Sequence, residues 1–230
     1  MIIYHIFQKH VILISGDNMN YIDIVNSNYF KQTYSKIEEL KKDFPVNHGF
    51  IHINNVINNC KRLAITFNLT TKETHLLLVA AALHDIGYLN GRDDHAYNGS
   101  ILVKDVLKEW DFNTKDINII SNAIKNHGGK NEFNYEDIIS ICLIIADKLD
   151  FIQTRYDKSK LTEEHLETFP NIADTYLDYK NNQIILNIVV NTLFSVETFN
   201  SSDYFHKLNT FLDLLSKKLK CTYKINYIKK

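Results

Sequence analysis

A histidine and an aspartate close the most apolar stretch of this chain, and they limit what the chain can fold into. Residues 76–83 are eight consecutive apolar residues, and His84-Asp85 follows them directly. The length and composition of this run predict a buried helix. An imidazole and a carboxylate at the buried end of such a helix cost free energy unless another group compensates them. A bound metal ion would do so.

Further imidazole and carboxylate side chains occur before and after this pair. They are His52, His95, His127 and Asp147. Asp147 falls within another apolar segment, where an unpaired carboxylate is unfavourable. Each residue alone has an ordinary explanation: a histidine can be hydrogen-bonded in a core, and Asp147 could pair with Lys148 or Arg155. Their joint occurrence favours a site for one or two metal ions.

The types of ligand narrow the choice of metal. The chain has no CxxC pair, and its cysteines Cys60, Cys142 and Cys221 are isolated, so a thiolate zinc site is not expected. We expect Cys60 and Cys142 to be reduced core residues. Imidazole and carboxylate ligands suit one or two divalent ions among Mn²⁺, Fe²⁺, Co²⁺, Ni²⁺ and Zn²⁺. The sequence does not choose among these metals.

Composition limits the class of protein and its partners. The chain has 230 residues, of which 45% are apolar, enough for one main domain with an appendage. The net charge of −1 creates no general attraction for nucleic acid or a membrane, and we predict neither as a partner. The apolar stretch at 11–14 is too short for a signal-peptide core or a membrane span. We therefore expect a cytoplasmic protein, with an N-terminal extension at 1–19 and Met19 as an alternative start.

The pattern of apolar residues predicts a mainly α fold with a small C-terminal α+β appendage. Only two prolines and seven glycines interrupt the chain. Thr70-Thr71-Lys72-Glu73 is a capping box, which opens the helix that ends at His84-Asp85. Helices are predicted at about 24–40, 52–67, 71–85, 93–107, 114–127, 135–151 and 162–168.

The character of the sequence changes after Tyr179. Residues 184–190 and 193–199 are rich in β-branched and aromatic side chains and are predicted to be strands. A helix at 203–219 and a strand at 222–228 follow. We therefore predict a helical metal-binding domain at 20–178 and an α+β subdomain at 180–230. The strands of this subdomain could cover the helical bundle, or pair with a second copy to form a homodimer.

Four segments together resemble the HD-domain superfamily of metal-dependent phosphohydrolases. The segments are His52-Ile53-Asn54-Asn55-Val56, Ala81-Ala82-Leu83-His84-Asp85-Ile86-Gly87-Tyr88, Ala123-Ile124-Lys125-Asn126-His127 and Ala146-Asp147-Lys148-Leu149-Asp150. They follow the order H…HD…H…H…D and cover roughly residues 45–160. The resemblance implies an HD-type helical bundle with a metal centre, and hydrolysis of a phosphate ester by metal-activated water.

The resemblance also implies a role for each ligand. His52, His84, Asp85 and Asp147 would hold a first ion. His95 and His127 would hold a second ion together with Asp85, which would bridge the two. The chain departs from some relatives here, because His95 follows the HD pair by only ten residues and those relatives place their additional histidines elsewhere.

Basic side chains near the ligands are candidates to neutralise the phosphoryl group. With Asp85, the predicted catalytic residues are Arg92, Lys148 and Arg155; Lys125 and Lys130 are further candidates that could equally be solvated side chains. Arginine presents a planar fork that suits phosphate. Lys148 adjoins Asp147, although successive residues of a helix diverge by about 100°.

Three further polar residues have open roles. His48 could orient a ligand, contact the substrate or serve in helix packing. Asp94 could orient His95 through its other ring nitrogen, and Asp150 could cap a helix or pair with a lysine.

The leading functional hypothesis is a phosphomonoesterase or phosphodiesterase that acts on a small phosphorylated substrate, with a nucleotide as the first choice. One alternative is a mixed-valent di-iron oxygenase of the myo-inositol oxygenase type, since its ligands are of the same kinds. Another is a non-catalytic module that senses a nucleotide.

Overall fold

The structure, a computed structural model, describes residues 19–128 and 137–230. Within these residues the architecture is mainly α with a small sheet in the C-terminal part, as the sequence predicts. The helices are α1 (Tyr21–Asn26), α2 (Asn28–Lys41), α3 (Phe50–Thr66), α4 (Thr71–Leu83), α5 (His95–Glu109), α6 (Thr114–His127), α7 (Ile138–Lys148), α8 (Glu163–Leu166), α9 (Val196–Ser201) and α10 (Asp203–Leu219). The strands are β1 (Ile172–Lys180), β2 (Gln183–Val190) and β3 (Thr222–Lys229). The predicted N-terminal extension lies outside the described residues, apart from Met19.

The first predicted helix is divided into α1 and α2 at Ser27. The side chain of Asn20 caps α1 by accepting hydrogen bonds from the backbone N–H groups of Ile22 and Asp23. Ser27 has an extended backbone, and its hydroxyl accepts a hydrogen bond from the N–H of Phe30 at the start of α2. A capping serine in this conformation ends one helix and begins the next.

Helix α4 is the central helix of the bundle. Every residue from Leu76 to Leu83 is buried, and α3, α6 and α7 all pack against α4. The predicted capping box at its start is present, with Thr70 and Glu73 in reciprocal hydrogen bonds. At its other end the hydroxyl of Tyr34 donates to the carbonyl oxygen of Ala82 at 2.9 Å. A helix that is apolar on all sides must be enclosed, so its last residues enter the middle of the bundle.

A short 3₁₀ turn, Ile86–Asn90, follows the end of α4 and contacts α5 closely. A Cβ atom added to Gly87 would lie 1.9 Å from the carbonyl oxygen of His95 and 2.5 Å from the backbone nitrogen of Gly99. Backbone atoms cannot yield at that distance, so the contact requires glycine. It holds the first turn of α5 against the end of α4.

The start of α3 is fixed by α2. The carboxylate of Glu38 accepts a hydrogen bond from the backbone N–H of Phe50 at 3.0 Å. A Cβ atom on Gly49 would occupy the position of this Glu38 side chain. An acidic group at a helix N-terminus satisfies a free N–H and interacts favourably with the helix dipole. This contact holds His52, in the first turn of α3, next to His84 at the end of α4.

The sheet packs on the helical part through β1. Strand β2 is central, antiparallel to β1 and parallel to β3. Strand β1 lies against α3, where Arg62 and Asp174 form two hydrogen bonds of 2.9 and 3.0 Å. The hydroxyl of Tyr204 in α10 donates to the carbonyl oxygen of Lys148 at 3.2 Å. The C-terminal elements therefore contact the helix end that carries Asp147.

One strand prediction is wrong, and the sheet begins earlier than predicted. Residues 193–199 do not form a strand: the Ser195 side chain accepts a hydrogen bond from the N–H of Thr198 and caps helix α9. The sheet begins at Ile172, before the change of composition at Tyr179, so β1 lies within the range assigned to the helical domain. The division into two domains stays a prediction.

The sixth predicted helix is shorter than expected. The described part of it, α7, runs from Ile138 to Lys148, while 135–136 lie outside the described residues. Among the residues that the structure describes, no helix is both long and apolar enough to cross a membrane.

Candidate metal centre

The six predicted ligands come from the ends of five different helices. His52 lies in the first turn of α3, His84-Asp85 directly after α4, His95 at the start of α5, His127 at the end of α6 and Asp147 near the end of α7. Because these helix ends meet at one level of the bundle, side chains that are far apart in sequence come together around Asp85.

The two carboxylate oxygens of Asp85 face different histidines. Oδ1 lies 3.5 Å from Nε2 of His84, 3.4 Å from Nε2 of His127 and 3.8 Å from Nε2 of His95. Oδ2 lies 3.3 Å from Nε2 of His52 and 3.3 Å from Nδ1 of His48. A carboxylate with ligand atoms on both sides has the arrangement of a bridging group.

A second set of ligand atoms surrounds His52. Its Nε2 lies 3.1 Å from Nε2 of His84 and 3.4 Å from Oδ1 of Asp147. Atoms at right angles around an ion at 2.0–2.2 Å are about 3 Å apart, so these separations fit shared coordination. The groups His52–His84–Asp147, His84–Asp85–His127 and His48–His52–Asp85 each place their ligand atoms within 4.8 Å of one another.

Backbone carbonyl groups fix the orientation of three of these histidines. Nδ1 of His84 lies 2.9 Å from the carbonyl oxygen of Ala81, Nδ1 of His95 lies 3.0 Å from that of Arg92, and Nδ1 of His127 lies 2.6 Å from that of Ile124. A carbonyl oxygen only accepts, so Nδ1 carries the proton and Nε2 keeps its lone pair. The last four carbonyls of a helix lack intrahelical partners, so α4 and α6 can supply such acceptors.

Asp150 fixes the orientation of His52. Its Oδ2 lies 2.6 Å from Nδ1 of His52, and its Oδ1 accepts a hydrogen bond of 2.9 Å from Asn55. Arg155 donates to the Asp150 carbonyl oxygen at 2.9 Å. Such a carboxylate–histidine pair sets the tautomer and increases the basicity of the ligand. The sequence suggested that Asp150 caps a helix or pairs with a lysine. Asp150 follows Asp147 by three residues, and this spacing could have indicated that both side chains face the same site.

The arrangement fits a cation. His52 and His84 present Nε2 lone pairs to each other at 3.1 Å, although neither nitrogen can donate while the rings are neutral. Nε2 of His127 is buried and has no hydrogen-bond partner among the described residues. Buried acceptors without donors cost free energy. Divalent transition-metal ions bind this set of imidazole and carboxylate ligands.

Burial keeps most of the histidines neutral. It lowers the pKa of His84 to about 3, and it lowers the pKa values of His48 and His95. Burial has the same effect on His52, but the hydrogen bond to Asp150 and the contact with Asp85 outweigh it and raise the pKa of His52. Neutral imidazole is the form that binds a metal, so of these four histidines His52 is the one at which a proton competes most strongly with a metal.

The carboxylates stay ionised despite burial. Burial would raise the pKa of Asp85, but the surrounding imidazoles, His84 first, hold it well below its usual value. For Asp147 the effect of burial is outweighed by Lys148, His52 and Arg155, which lower its pKa. An ionised carboxylate is the form that binds a metal.

The predicted basic residues lie at different distances from the centre. Nζ of Lys148 lies 3.4 Å from Asp147 Oδ2, and 39% of its side chain is exposed. The side chain of Arg155 is only 11% exposed, 3.8 Å from Asp147 and 3.4 Å from Asp150. Arg92 is exposed, and its backbone carbonyl oxygen accepts a hydrogen bond from His95. Of the further candidates, Lys125 is exposed and Lys130 lies outside the described residues.

Aromatic and basic side chains form a rim that sequence reasoning did not find. Tyr88 stacks on His95 with ring centres 4.3 Å apart and contacts His48 at 4.7 Å. Nζ of Lys41 lies 4.4 Å from the centre of the Tyr88 ring. The sequence left the role of His48 open among ligand orientation, substrate contact and helix packing. Nothing in the sequence near Lys41 indicated its contact with Tyr88. The sequence suggested that Asp94 orients His95. In the structure it is the backbone carbonyl oxygen of Arg92 that accepts the hydrogen bond from Nδ1 of His95.

Comparison with known proteins identifies the class of domain. Residues 49–154, just under half of the chain, match the family model of the HD domain. The chain therefore contains an HD domain. HD domains bind divalent metal ions, and the histidine and aspartate clusters around Asp85 are able to hold them.

A solved structure, a predicted HD superfamily hydrolase from an uncultured Thermotogales bacterium, is 20% identical and has a TM-score of 0.42. The match covers 62% of this chain and 87% of that one. No curated protein matches the chain.

Proposed function

We propose that this chain is a metal-dependent phosphohydrolase that acts on a small phosphorylated substrate, with a nucleotide as the first choice. The observation that carries the proposal is the convergence, in an HD domain, of four histidine Nε2 atoms with the ionised carboxylates of Asp85 and Asp147. The reaction proposed is hydrolysis of a phosphate ester by water, as a monoesterase or a diesterase.

The ligands divide into two groups. His52, His84, Asp85 and Asp147 would hold one ion, and His95 and His127 would hold a second together with Asp85. This division is supported by Asp85, whose Oδ2 faces His52 and whose Oδ1 faces His95 and His127. His84 lies between the two groups, close to Nε2 of His52 and to Oδ1 of Asp85. Divalent ions bound in this way polarise phosphoryl oxygens and lower the pKa of water.

The basic side chains have two different roles in this proposal. Lys148 is partly exposed beside Asp147, so its ammonium group can reach a phosphoryl oxygen and offset the charge that develops there. Arg155 is largely enclosed, and its charge is engaged with Asp147 and Asp150. We therefore assign Arg155 a positioning role. His48 is 19% exposed and contacts Asp85, and both observations support a role for it in contacting the substrate.

A substrate screen with metal-loaded protein tests the proposal. Protein loaded separately with Mn²⁺, Fe²⁺, Co²⁺, Ni²⁺ or Zn²⁺ is assayed against nucleoside mono-, di- and triphosphates and cyclic dinucleotides. We expect turnover that a chelator abolishes and that the metal restores. Asp85→Asn should lower kcat/KM by at least about a hundredfold, because it removes the charge between the two ligand groups.

His206→Ala is the matched control, since it removes an exposed histidine in α10 and should leave turnover unchanged. Folded, metal-loaded protein that hydrolyses none of these phosphate esters would overturn the proposal, and so would full activity in Asp85→Asn. Substrate-dependent oxygen uptake by iron-loaded protein, with a mixed-valent EPR signal, would instead favour the di-iron oxygenase.

A further inference from the structure

Two cationic side chains approach the same aromatic ring at the rim of the metal centre. Nζ of Lys41 lies 5.0 Å from the centre of the Phe44 ring, and the guanidinium carbon of Arg92 lies 5.8 Å from it. The pKa of Lys41 is lowered, first by burial and then by the charge of Arg92. Like charges held in this way repel each other, and an anion that contacts both relieves the repulsion.

Neither cation has an acidic partner in contact within the part of the chain that the structure describes. Among residues 19–128 and 137–230, no carboxylate oxygen lies within 4.0 Å of the Lys41 or Arg92 side-chain nitrogens; Asp85 and Asp93 affect Lys41 only from a greater distance. The neighbouring Lys42 differs, since it forms an ion pair of 2.7 Å with Glu39. The charges of Lys41 and Arg92 are therefore available to a ligand.

The pair is joined to the metal centre by Tyr88 and by the backbone. The ring of Tyr88 contacts the Lys41 ammonium group at 4.4 Å and stacks on His95 at 4.3 Å. The carbonyl oxygen of Arg92 accepts the Nδ1 hydrogen of His95 at 3.0 Å. The Lys41 ammonium group is thus separated from His95 by the Tyr88 ring, and Arg92 is joined to His95 through its backbone. Both residues therefore border the side of the metal centre on which His95 lies.

We propose that Lys41 and Arg92 bind a second phosphate of the substrate, next to the one that is hydrolysed. The substrate class is then a phosphoanhydride, such as a nucleoside di- or triphosphate, in preference to a monophosphate. This inference rests on the proposed function, because it assumes that the first phosphate occupies the metal centre. Arginine and lysine form charge-assisted hydrogen bonds to phosphate oxygens.

Calorimetric titration of Mn²⁺-loaded protein tests the second-phosphate site without turnover. Methylenediphosphonate carries two phosphorus groups joined by carbon, methylphosphonate carries one, and neither is cleaved at a P–O–P bond. We expect wild type to bind the diphosphonate at least about tenfold more tightly than methylphosphonate. Lys41→Met and Arg92→Met should each reduce this preference severalfold. The manganese content is measured after each titration, to verify that the metal is retained.

Lys36→Met is the matched control, because it removes the same charge from an exposed position of α2 and should retain the wild-type preference. Equal affinity of wild type for the two phosphonates would overturn the inference. An undiminished preference in Lys41→Met and Arg92→Met would also overturn it, as would an equal loss in Lys36→Met. If the protein hydrolyses phosphate esters but does not prefer the diphosphonate, the second-phosphate site is contradicted and the proposed function stands. If it prefers the diphosphonate but hydrolyses no phosphate ester, the site is supported and the proposed function is contradicted.

Discussion

At the scale of single residues, the partners of the ligands matter as much as the ligands. Asp150 is buried, contacts Nδ1 of His52 at 2.6 Å and is itself held by Asn55 and Arg155. It raises the pKa of His52 and fixes the ring so that Nε2 faces Asp147. A ligand without such a partner can rotate and binds a metal less tightly.

The variant Asp150→Asn tests this role. The amide keeps the shape of the side chain but loses the charge, so the apparent Mn²⁺ affinity should fall by about 10- to 100-fold. Metal titration by calorimetry, with circular dichroism to verify the fold, gives the measurement. Asp213→Asn changes an exposed aspartate of α10 in the same way and should bind Mn²⁺ as wild type does. Wild-type affinity in Asp150→Asn would show that this carboxylate does not position His52.

The sequence indicated the candidate ligands better than the residues that surround them. His84 and Asp85 stood out because polar groups interrupt an apolar run, and the structure places all six predicted ligands around one point. The contact of Asp150 with His52 joins residues far apart in sequence, and the same is true of Lys41 and Tyr88. Such contacts depend on how whole helices pack, which local patterns do not encode.

At the scale of elements, the metal centre depends on the close approach of α5 to the end of α4. The backbone of Gly87 touches that of His95 and Gly99, and no other residue type fits there. This contact sets the depth of His95, and with it the distance of 3.8 Å from Nε2 of His95 to Asp85. The backbone contact between the turn after α4 and the start of α5 thus positions His95.

Gly87→Ala should destabilise the protein by about 1–3 kcal/mol or more, because the added methyl group meets backbone atoms on both sides. Urea unfolding measures this change in the free energy of unfolding. Gly99→Ala is the comparison: its Cβ would have no neighbour nearer than 3.3 Å, and alanine favours a helix interior, so a smaller change is expected. If Gly87→Ala is as stable as Gly99→Ala, the close backbone contact is not as described.

Helix boundaries were predictable where a capping residue is present in the sequence. The box of Thr70 and Glu73 is an example, and α4 begins where it predicts. The strand prediction at 193–199 was wrong because its apolar residues resemble a strand, while the cap of Ser195 starts a helix there. Strand β1 was missed because it carries Asp174, Asp178 and Lys180, which are uncommon in strands; pairing with β2 overrides that preference.

At the scale of the whole molecule, the C-terminal elements support the helices that carry the candidate metal centre. Besides the hydrogen bond from Tyr204 to Lys148, the hydroxyl of Thr175 in β1 donates to the carbonyl oxygen of Leu149. Both acceptors follow Asp147 closely, at the end of α7. The sheet thereby covers the bundle, which was one of the two roles predicted for it; a homodimer stays a proposal.

Tyr204→Phe should lower the free energy of unfolding by about 1–3 kcal/mol, since it leaves the carbonyl group of Lys148 without this donor. Thermal and urea unfolding provide the measurement. Tyr97→Phe removes a hydroxyl from a side chain that is 55% exposed and should change stability little. Equal stability of the two variants would argue against a stabilising contact between α10 and the end of α7.

The stability of protein kept in a chelator should fall as the pH is lowered from about 6.5 to 4.5. His84 gains its proton near pH 6.5 when unfolded but only near pH 3 when folded. Between these values the unfolded chain binds more protons, so acid favours unfolding by up to about 1.4 kcal/mol per pH unit for such a group. His48 and His95 act in the same direction. His52, whose pKa is raised, has the opposite effect only above about pH 6.5.

Urea unfolding at several pH values measures this dependence. His206→Ala, which lacks only an exposed histidine, should show the wild-type slope. Stability that is constant, or that increases towards pH 4.5, would contradict the burial of neutral imidazoles in the centre.

Elemental analysis of the purified protein, wild type and variants, tests the metal centre most directly. We expect one or two divalent transition-metal ions per chain in wild type and in His206→Ala, and almost none in a double variant His84→Ala, Asp85→Asn that retains its helical circular dichroism. Anomalous X-ray scattering from crystals should place the ions beside Asp85. Wild-type protein that binds no metal even after reloading, or ions that lie away from Asp85, would contradict the account.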